Sequence, residues 1–430
     1  MHIYFSGIGG TAIGPLALIA QQAGYTVSGS DKQHSQYIDY LQHHGIATIT
    51  IGQKAEDIAA VHAKQPIDWV IYSSAVAIEN PDHPELLFAR QNDIRLSKRD
   101  ELLNEIIKDK HLKLIAIAGT HGKTTTTAMM IWLLKELGIP VSYSVGAKIS
   151  FGEMGHFDPT SEYFVYECDE YDHNFLAFHP YLSLITGVDW DHADIYPTRK
   201  EYEAAFVTFV GQSHRTIVWD EDASKLSLAE DHQTTVMKNA DEATTSLSLP
   251  GRVNRQDAWQ VIAALQYIQQ TPLAEAVEIM NRFPGVARRF EQIVPGIFSD
   301  YAHTPEKIRG ALQMAQEVAG DKVVVVYEGL HNTRQHFIKD DLEHLFDDVK
   351  HMYVVPSYLA REDESLKLLA PADLIQLMSK PDSATASQCD VTLKTAIEQH
   401  VASGDTVLCL SAGGGGSLDE WLRQEFMPRK

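Results

Sequence analysis

The chain has 430 residues, of which 44% are hydrophobic and 22% are charged, a composition that is typical of a globular protein and excludes disordered and collagen-like chains. Its 36 basic and 58 acidic residues give a formal net charge of −22, which argues against general nucleic-acid binding because such a surface repels phosphates. At about 150 residues per domain, the length corresponds to about three domains.

Short apolar, β-branched runs alternate with segments of helical period, which is the pattern of parallel α/β units. The predicted strands are Ile3 to Ser6, Thr26 to Gly29, Asp68 to Tyr72, Leu114 to Ala118, Tyr163 to Glu167, Leu182 to Gly187, Thr216 to Trp219, Lys322 to Tyr327, Met352 to Val355 and Thr406 to Leu410. The predicted helices are Ala12 to Ala23, Thr124 to Leu137, Arg199 to Val210, Asp257 to Gln269, Pro305 to Val318 and Ser417 to Phe426. The predicted fold class is therefore α/β.

Two breaks divide these elements into three blocks. A charged stretch at residues 108–111 follows the first block, and Phe283-Pro284-Gly285 follows the last helix of the second. We therefore predict three domains, at residues 1–107, 108–285 and 286–430.

The cysteines and the apolar runs both favour a cytoplasmic protein. Cys168, Cys389 and Cys409 are too few for a disulfide framework and have no CxxC spacing, which favours a reducing compartment and argues against structural zinc. We find no signal-peptide pattern and no run of about 18 apolar residues, so we expect no membrane association. We expect Cys168 to be a small buried side chain rather than a reactive thiol.

The strongest local motif is GTHGKTT, Gly119 to Thr125, which follows a predicted strand and opens a predicted helix. Such a turn presents backbone N–H groups to phosphate oxygens, while Lys123 can neutralise the β- and γ-phosphates and Thr124 can bind Mg²⁺. The motif departs from GxxxxGK[ST] because Ile117 stands where the first glycine would be. The pattern predicts a phosphate site rather than a generic NTPase, and the alternative is an ordinary turn with a surface lysine.

Acidic residues and a histidine follow two further predicted strands. The segment ECDEYD, residues 167–172, places four carboxylates at a strand end, where open α/β sheets place their ligands. Clustered carboxylates need a cation to offset their repulsion, and Mg²⁺ prefers oxygen ligands. His192 follows the next strand; a single histidine there is more often structural, so its candidacy depends on Glu167 and the Lys123 loop.

A second phosphate-binding pattern lies at the N-terminus. The segment GIGGTA, Gly7 to Ala12, matches GxGxxA after a strand, and Asp31 ends the next strand. The motif fits either a dinucleotide or the diphosphate of another nucleotide, because it indicates only a phosphate at a helix N-terminus. Two such turns in separate blocks predict two nucleotide-like ligands, which a dehydrogenase would not need.

The third block carries an arginine pair near the edge of its predicted sheet. Arg288 and Arg289 precede Glu291, and SDYAHTPE follows at residues 299–306. Without further context, a solvated surface is the favoured interpretation of such a pair.

Taken in order, these motifs resemble the Mur ligase family, the ATP-dependent amide-forming enzymes of peptidoglycan synthesis. The resemblance covers nearly the whole chain, through GIGGT and SGSD, SSAV with ENP, GTHGKTTTT, ECDEYD, DWDHADIY, LPGRVN, ARRFE and SDYAHTPE. It implies a Rossmann-like N-terminal UDP-sugar domain, a P-loop ATPase-like central domain and a Rossmann-like C-terminal amino-acid domain. The implied cofactors are ATP and Mg²⁺, the implied partners are UDP-N-acetylmuramate and an amino acid or short peptide, and the implied assembly is a monomer or homodimer.

The resemblance also implies roles for individual residues. Lys123, Glu167 and His192 would be catalytic, and Thr124, Glu167 and His192 would be Mg²⁺ ligands. The implied ATP contacts are Gly119, Thr120, His121, Gly122, Lys123, Thr124, Thr125, Asn254, Arg289, Asp300 and His303. The implied UDP-sugar contacts are Gly9, Gly10, Thr11, Asp31, Ser73 and Ser74, and the residues on the amine-acceptor side are His331, Asn332 and Arg334. Val253 stands where a histidine usually precedes the family's asparagine.

The implied reaction is amide formation through an acyl phosphate. A substrate carboxylate attacks the γ-phosphate of ATP while Lys123 and Mg²⁺ screen the charge, and an amine then attacks the activated carbonyl. Because water would destroy the acyl phosphate, closure of the third block over the second is expected.

Phe206 helps to place the chain within the family. Several Mur ligases carry a carbamate-modified lysine that binds Mg²⁺ in a YxAAK segment, which here reads Tyr202-Glu203-Ala204-Ala205-Phe206. The branch that acts on UDP-N-acetylmuramate similarly lacks that lysine. The resemblance thus favours a ligase that adds L-alanine to UDP-N-acetylmuramate, with the alternative of a recycling ligase that attaches the tripeptide L-Ala-γ-D-Glu-meso-diaminopimelate.

The acceptor side mixes features of both enzymes. SSAV, ENP and Arg99 resemble the alanine-adding ligase, whereas residues 170–172, 328–334 and 411–416 resemble the recycling ligase. Two further alternatives are a related ligase with another acid substrate and a catalytically silent nucleotide-binding protein. The N-terminal UDP-sugar motifs argue against the first, and the retained phosphate and metal residues argue against the second.

Overall fold

The structure is a computed structural model in which the chain forms three mostly parallel β-sheets flanked by helices. It describes residues 1–427 apart from Ala12, Ser74, Ala75, Ile78, Glu79, Ala193, Asp194, Tyr358, Ala360, Arg361, Glu364, Gly414 and Gly415. Packing divides the chain into two compact units, one of Met1–Ser246 with Asp257–Phe283 and the other of Leu247–Gln256 with Pro284–Lys430. Among the described helices, none is long and apolar enough to cross a membrane.

The first sheet is fully parallel and lies in the first unit. Its strands are β1 (His2–Ser6), β2 (Thr26–Asp31), β3 (Ile49–Ile51), β4 (Trp69–Tyr72) and β5 (Arg95–Ser97), in the order β3-β2-β1-β4-β5. The helices described around it are Ile13–Gln22, Gln36–His43, Ala55–Lys64, Pro84–Gln91 and Arg99–Asp109. Because β1 pairs with both β2 and β4, the strand order reverses beside β1, where doubly wound sheets bind their ligands.

The second sheet also lies in the first unit. Its strands are β6 (Lys113–Ala118), β7 (Val141–Ser144), β8 (Gly155–His156), β9 (Tyr163–Glu167), β10 (Leu182–Ile185), β11 (Thr216–Trp219) and β12 (Thr234–Met237), in the order β12-β11-β10-β6-β9-β7-β8. Its helices are Lys123–Glu136, Arg199–Gln212, Asp220–Lys225, Ala240–Ala243, Arg252–Ile268 and Leu273–Asn281, with the 3₁₀ segment Tyr171–Ala177. Since β6 lies between β9 and β10 and runs parallel to both, the loops after these three strands meet at one edge.

The third sheet lies in the second unit. Its strands are β13 (Glu291–Val294), β14 (Ile297–Asp300), β15 (Val323–Glu328), β16 (His351–Val355), β17 (Ala384–Ala386) and β18 (Thr406–Leu410), in the order β13-β14-β18-β15-β16-β17. Its helices are Pro305–Ala319, Asn332–Ile338, Pro371–Ile375, Val391–Ala402 and Leu418–Phe426, with 3₁₀ segments Lys339–Leu342 and Pro381–Ser383. Only the β13–β14 pairing within this described sheet is antiparallel.

The strands that carry the candidate sites are buried. Ile117 of β6 and Val325 of β15 are fully inaccessible, as expected for parallel strands with helices on both faces. In the first unit the cores of the two sheets are continuous, because one apolar cluster joins Phe5 of the first sheet to Phe164 of the second sheet and to Phe206 of the helix Arg199–Gln212. The ends of the strands that carry the candidate sites are therefore anchored in this packed core.

The predicted elements agree with the structure within two residues at most ends. The main helical exception is Arg252–Ile268, which begins five residues before the predicted Asp257 because the chain leaves its turn at Gly251, whose φ is 87°. The predicted first residue of the first helix, Ala12, lies outside the described residues. Helix Arg99–Asp109 runs past the predicted domain boundary at residue 107, and the two predicted boundaries remain predictions.

Candidate active site

A glycine-rich turn links β6 to helix Lys123–Glu136. Gly119 and Gly122 have φ values of 150° and 78°, in the region that favours glycine. A Cβ atom on Gly122 would lie 2.8 Å from Oδ2 of Asp257, so a side chain there would displace a buried neighbour. The turn leaves the first amides of the helix without side-chain cover, as a phosphate site requires.

Lys123 is held at the start of this helix by a buried carboxylate. Its Nζ donates to the carbonyl oxygen of Gly119 and to Oε1 and Oε2 of Glu170, at 3.1 and 2.8 Å. The Lys123 side chain is 15% exposed and that of Glu170 is 1% exposed. Burial lowers the pKa of Lys123, but the charges of Glu170 and Asp169 outweigh it and raise that pKa above its usual value. Lys123 is therefore a cation.

Thr124 and Glu167, two of the predicted metal ligands, lie in direct contact. Thr124 Oγ1 donates to Glu167 Oε1 at 2.9 Å, and the backbone N–H of Gly146 donates to Glu167 Oε2 at 2.8 Å. The contact follows from strand pairing, because Glu167 ends β9 opposite Ile117 of β6. A hydroxyl and a carboxylate at this spacing are oxygen donors of the kind that Mg²⁺ prefers.

His192 lies beside the same carboxylates. Its backbone is left-handed, with φ at 56°, and its Nε2 is 3.7 Å from Glu170 Oε1. The buried Nδ1 has no hydrogen-bond partner among the described residues. No three histidine, cysteine or acidic side chains of the described residues are grouped so that they could hold a metal, and the metal assignment stays a prediction based on Thr124, Glu167 and His192.

Two tyrosines form hydrogen bonds with Glu170. Tyr202 OH donates to Glu170 Oε1 at 3.4 Å and shares a 2.7 Å hydrogen bond with Thr120 Oγ1. Tyr196 OH donates to the backbone oxygen of Glu170 at 2.6 Å. Phe206 lies one turn beyond Tyr202, fully buried, with its ring 5.1 Å from that of Tyr202. Phe206 is therefore a core residue.

A second charged network orients the histidine of the phosphate loop. His121 Nε2 lies 2.8 Å from Asp189 Oδ2, and Lys225 Nζ donates to Asp189 Oδ1 at 3.1 Å. The hydrogen bond from His121, together with the charge of Lys225, outweighs burial and holds the pKa of Asp189 well below its usual range. The imidazole of His121 is thus fixed by an ionised carboxylate.

Cys168 lies between these acidic residues in sequence but points away from solvent. It is fully buried, and burial with the nearby charge of Asp100 raises the pKa of its thiol well above the usual value. The expectation of a small buried side chain is confirmed.

The N-terminal turn lies where the strand order of the first sheet reverses. The backbone N–H of Gly9 donates to Asp31 Oδ2 at 2.8 Å, which joins the ends of β1 and β2. A Cβ atom on Gly7, whose φ is 82°, would lie 3.2 Å from Ser73 Oγ, so Ser73 at the end of β4 adjoins the same turn. Ser74, also predicted here, lies outside the described residues.

In the second unit, Asp300 ends β14 near the arginine pair. Its carboxylate accepts hydrogen bonds from the backbone N–H groups of Phe290 and Ala302, at 2.6 and 2.7 Å. Burial raises the pKa of Asp300, against the opposing effects of Arg289 and these amides. Arg288 is half-buried and donates to the carbonyl oxygens of Ser411 and Gly413 at 3.3 and 3.0 Å. The solvated surface expected for the pair is therefore wrong for Arg288.

Other predicted residues of this unit are engaged in local contacts. His303 Nδ1 lies 2.7 Å from the carbonyl oxygen of Tyr301, and Asn254 Nδ2 donates to the carbonyl oxygen of Pro250 at 2.9 Å. Asn332 Oδ1 accepts from the backbone N–H of Leu369 at 2.9 Å, which anchors the segment after β16. These contacts fix loops, and they leave the predicted ATP and acceptor roles untested.

Comparisons with known proteins show which family the chain belongs to. Family models of the Mur ligase catalytic, middle and glutamate ligase domains match residues 2–111, 117–267 and 288–413. A UDP-N-acetylmuramate--L-alanine ligase of Anaeromyxobacter dehalogenans is 31% identical, with 96% of this chain and 94% of the relative covered. The chain belongs to the Mur ligase family. Membership makes it an ATP-dependent enzyme that forms amide bonds.

Solved Mur ligases share the fold. A UDP-N-acetylmuramate-alanine ligase of Thermotoga maritima matches with a TM-score of 0.75 and 25% identity, over 99% of this chain and 98% of its own. A murein peptide ligase of Psychrobacter arcticus matches in fold, with a TM-score of 0.62 and 22% identity over 100% of both chains. The three-domain α/β class is therefore confirmed for this Mur ligase.

Within this Mur ligase, the second sheet brings the predicted phosphate and metal residues Lys123, Thr124 and Glu167 together at one edge. Glu170 and Asp189 were not predicted as site residues, although both lie in the strand-end motifs ECDEYD and DWDHAD. Lys225 follows β11 on a short helix, and we find no sequence signal that would have identified it.

Proposed function

We propose that this Mur ligase joins the lactyl carboxylate of UDP-N-acetylmuramate to the amine of L-alanine at the expense of ATP. The observation that carries the proposal is the near full-length similarity to the Anaeromyxobacter dehalogenans ligase, at 31% identity over 96% of this chain. The phosphate-loop geometry supports it, because a buried cation and a pair of oxygen donors suit a reaction on a triphosphate.

The proposed first step is attack of the substrate carboxylate on the γ-phosphorus of ATP, which gives an acyl phosphate and ADP. Lys123 offsets the charge on the phosphoryl oxygens as the two anions approach. Thr124, Glu167 and His192 would hold Mg²⁺, which when bound supplies further positive charge at the phosphates. The first amides of helix Lys123–Glu136 bind the phosphate oxygens, since the glycine turn leaves them uncovered.

The proposed second step is attack of the alanine amine on the carbonyl carbon of the acyl phosphate. The tetrahedral intermediate then loses inorganic phosphate, and the amine gives up a proton, which leaves the amide. Arg289, Asp300 and His303 would contact the nucleotide, and His331, Asn332 and Arg334 would lie on the acceptor side. Exclusion of water protects the acyl phosphate during this step.

The UDP-sugar would bind at the first sheet. Gly9, Gly10 and Thr11 follow β1 at the reversal of strand order, with Asp31 and Ser73 at the ends of the neighbouring strands.

We propose domain limits at residues 107 and 285 and a cytoplasmic location, where ATP and UDP-linked sugars are available.

A second acceptor, the tripeptide L-Ala-γ-D-Glu-meso-diaminopimelate, is favoured by one segment. Residues 328–334 resemble the recycling ligase, with Glu328 and Asn332 at the matching positions. Glu328 is buried and accepts a hydrogen bond from the backbone N–H of Leu418 at 3.1 Å. Glu328 would therefore stabilise the proposed acceptor side from a buried position.

The deciding experiment measures phosphate release and amide formation with ATP, Mg²⁺ and UDP-N-acetylmuramate, offering L-alanine, other single amino acids or the tripeptide. Release with L-alanine alone supports the biosynthetic function, and a preference for the tripeptide supports the recycling function. No release with any acceptor, in an enzyme that still binds ATP, would reject both.

A further inference from the structure

The ammonium group of Lys123 is fully occupied by groups of its own chain. A lysine has three N–H donors, and here they are directed to the Gly119 carbonyl oxygen and to both carboxylate oxygens of Glu170, at 3.1 and 2.8 Å. The cation that should receive the phosphates of ATP is therefore already neutralised. A phosphate can reach it only by competing with Glu170.

Glu170 is held in place and cannot relax into solvent. Its side chain is 1% exposed, Tyr202 OH donates to Oε1 at 3.4 Å, and Tyr196 OH donates to its backbone oxygen at 2.6 Å. Both tyrosines are almost fully buried. The carboxylate is thus part of the wall of the site rather than a mobile surface group.

The described acidic groups around Glu170 add to its negative charge when Lys123 turns to a phosphate. Among the described residues, His192 is the other basic group in ion-pair range, with its Nε2 3.7 Å from Oε1, while Glu167 and Asp169 add negative charge on the same loop. Like charges in a poorly hydrated site repel much more strongly than in water. A polyphosphate that arrives without a cation would therefore be opposed by Glu170.

We propose that Glu170 is an internal counter-ion of Lys123 that makes phosphate binding conditional on a cation delivered with the nucleotide. Glu170 is in this sense a specificity-determining residue, which discriminates against metal-free ATP. This inference rests on the proposed function, because it assumes that Lys123 binds the phosphates of ATP.

The test is the affinity for ATP in the presence of EDTA, measured by calorimetry on the full chain. Glu170→Gln keeps the size and polarity of the side chain and removes its charge. We expect this variant to bind metal-free ATP about tenfold more tightly than the wild type or better, and we expect the difference to shrink in excess Mg²⁺. A variant that binds metal-free ATP no more tightly than the wild type would overturn the inference.

Asp172→Asn provides a matched control. Asp172 lies on the same loop and pairs with Lys98, with a side chain that is 38% exposed, so the substitution removes the same charge without touching Lys123. Its affinity for metal-free ATP should stay within about twofold of the wild type, because a half-exposed charge is screened. An equal gain in both variants would assign the effect to net charge and also overturn the inference.

A second variant covers the case in which Glu170→Gln does not fold. Glu170→Asp keeps the charge but withdraws the carboxylate from Lys123 by one methylene group, so this variant should bind metal-free ATP more tightly than the wild type. An affinity equal to that of the wild type would contradict the inference. If the wild type binds ATP neither with nor without Mg²⁺, the proposed function itself fails, which distinguishes the two cases.

Discussion

Two glycine-rich turns in the first unit share a local plan and differ in charge. Each follows a central parallel strand and opens a helix, at Gly7 after β1 and at Gly119 after β6. The first turn, GIGGTA, contains no charged residue, and the Asp31 carboxylate accepts a hydrogen bond from the Gly9 backbone. The second places Lys123 against Glu170. The two turns thus suit the two proposed ligands, a phosphate that is only bound and one that must react.

The largest expected effect lies in the charged turn. Lys123→Ala should lose roughly 2 to 4 kcal/mol of transition-state stabilisation, a fall in kcat/KM of about 30-fold to 1000-fold, because the phosphoryl charge is no longer offset. The measurement is phosphate release at saturating UDP-N-acetylmuramate. Lys135→Ala, on the exposed far end of the same helix, is the control and should turn over normally. Unchanged turnover in Lys123→Ala would remove the phosphate-loop assignment.

The next effect concerns the oxygen donors beside that lysine. Glu167→Gln keeps the size of the side chain and one acceptor oxygen for Thr124 or Gly146, but it lacks the charge that attracts Mg²⁺. We expect the Mg²⁺ concentration for half-maximal turnover to rise about 10-fold to 100-fold. Asp172→Asn on the same loop should leave the titration unaltered. An unchanged titration for Glu167→Gln would make Glu167 a structural residue.

The uncharged turn should respond differently. A Cβ atom on Gly9 would lie 2.9 Å from Asp31 Oδ2, so Gly9→Ala should displace the turn. We expect this displacement to raise the KM for UDP-N-acetylmuramate about tenfold. The affinity for ATP should not change. Gly211→Ala, where a Cβ atom meets nothing within 4 Å, is the control. A loss of ATP affinity in Gly9→Ala would mean that the two turns do not bind separate ligands.

The smallest effect is expected at Phe206. Phe206→Leu retains an apolar side chain in the aromatic cluster with Tyr202, so the free energy of unfolding should fall by about 1 kcal/mol. Turnover should stay within about twofold of the wild type, because no reacting group is changed. Severe loss of activity at normal stability would show that this position has a direct role in the site.

The sequence predicted most of the buried strands and the strand-end motifs, for a physical reason, although it missed the buried strands β7 and β14. β6, β9 and β10 are continuous apolar runs because both faces are covered, and parallel pairing then fixes which ends meet. Short edge strands such as β3 (Ile49–Ile51) and β5 (Arg95–Ser97) were missed because their residues are partly exposed and show no clear apolar run.

The partners of the site residues were less predictable than the residues themselves. Glu170 meets Lys123 across 47 residues of chain, next to the left-handed residues Asp172 and His173, with φ values of 55° and 57°. Arg288 is drawn inward by carbonyl oxygens more than 120 residues later in the chain. Such contacts depend on tertiary structure, and neither residue type nor local spacing encodes them.

The burial of Cys168 has a consequence for inhibition and for oxidative stress. Electrophiles and peroxides attack the thiolate, yet this sulfur is inaccessible and its pKa is raised, although Glu167 precedes it directly. Cys389 is partly accessible, and burial raises its pKa to about 11. Reagents that modify thiols should therefore not react at Cys168, beside the proposed phosphate site. The acidic loop that contains Cys168 should stay unmodified in an oxidising cell.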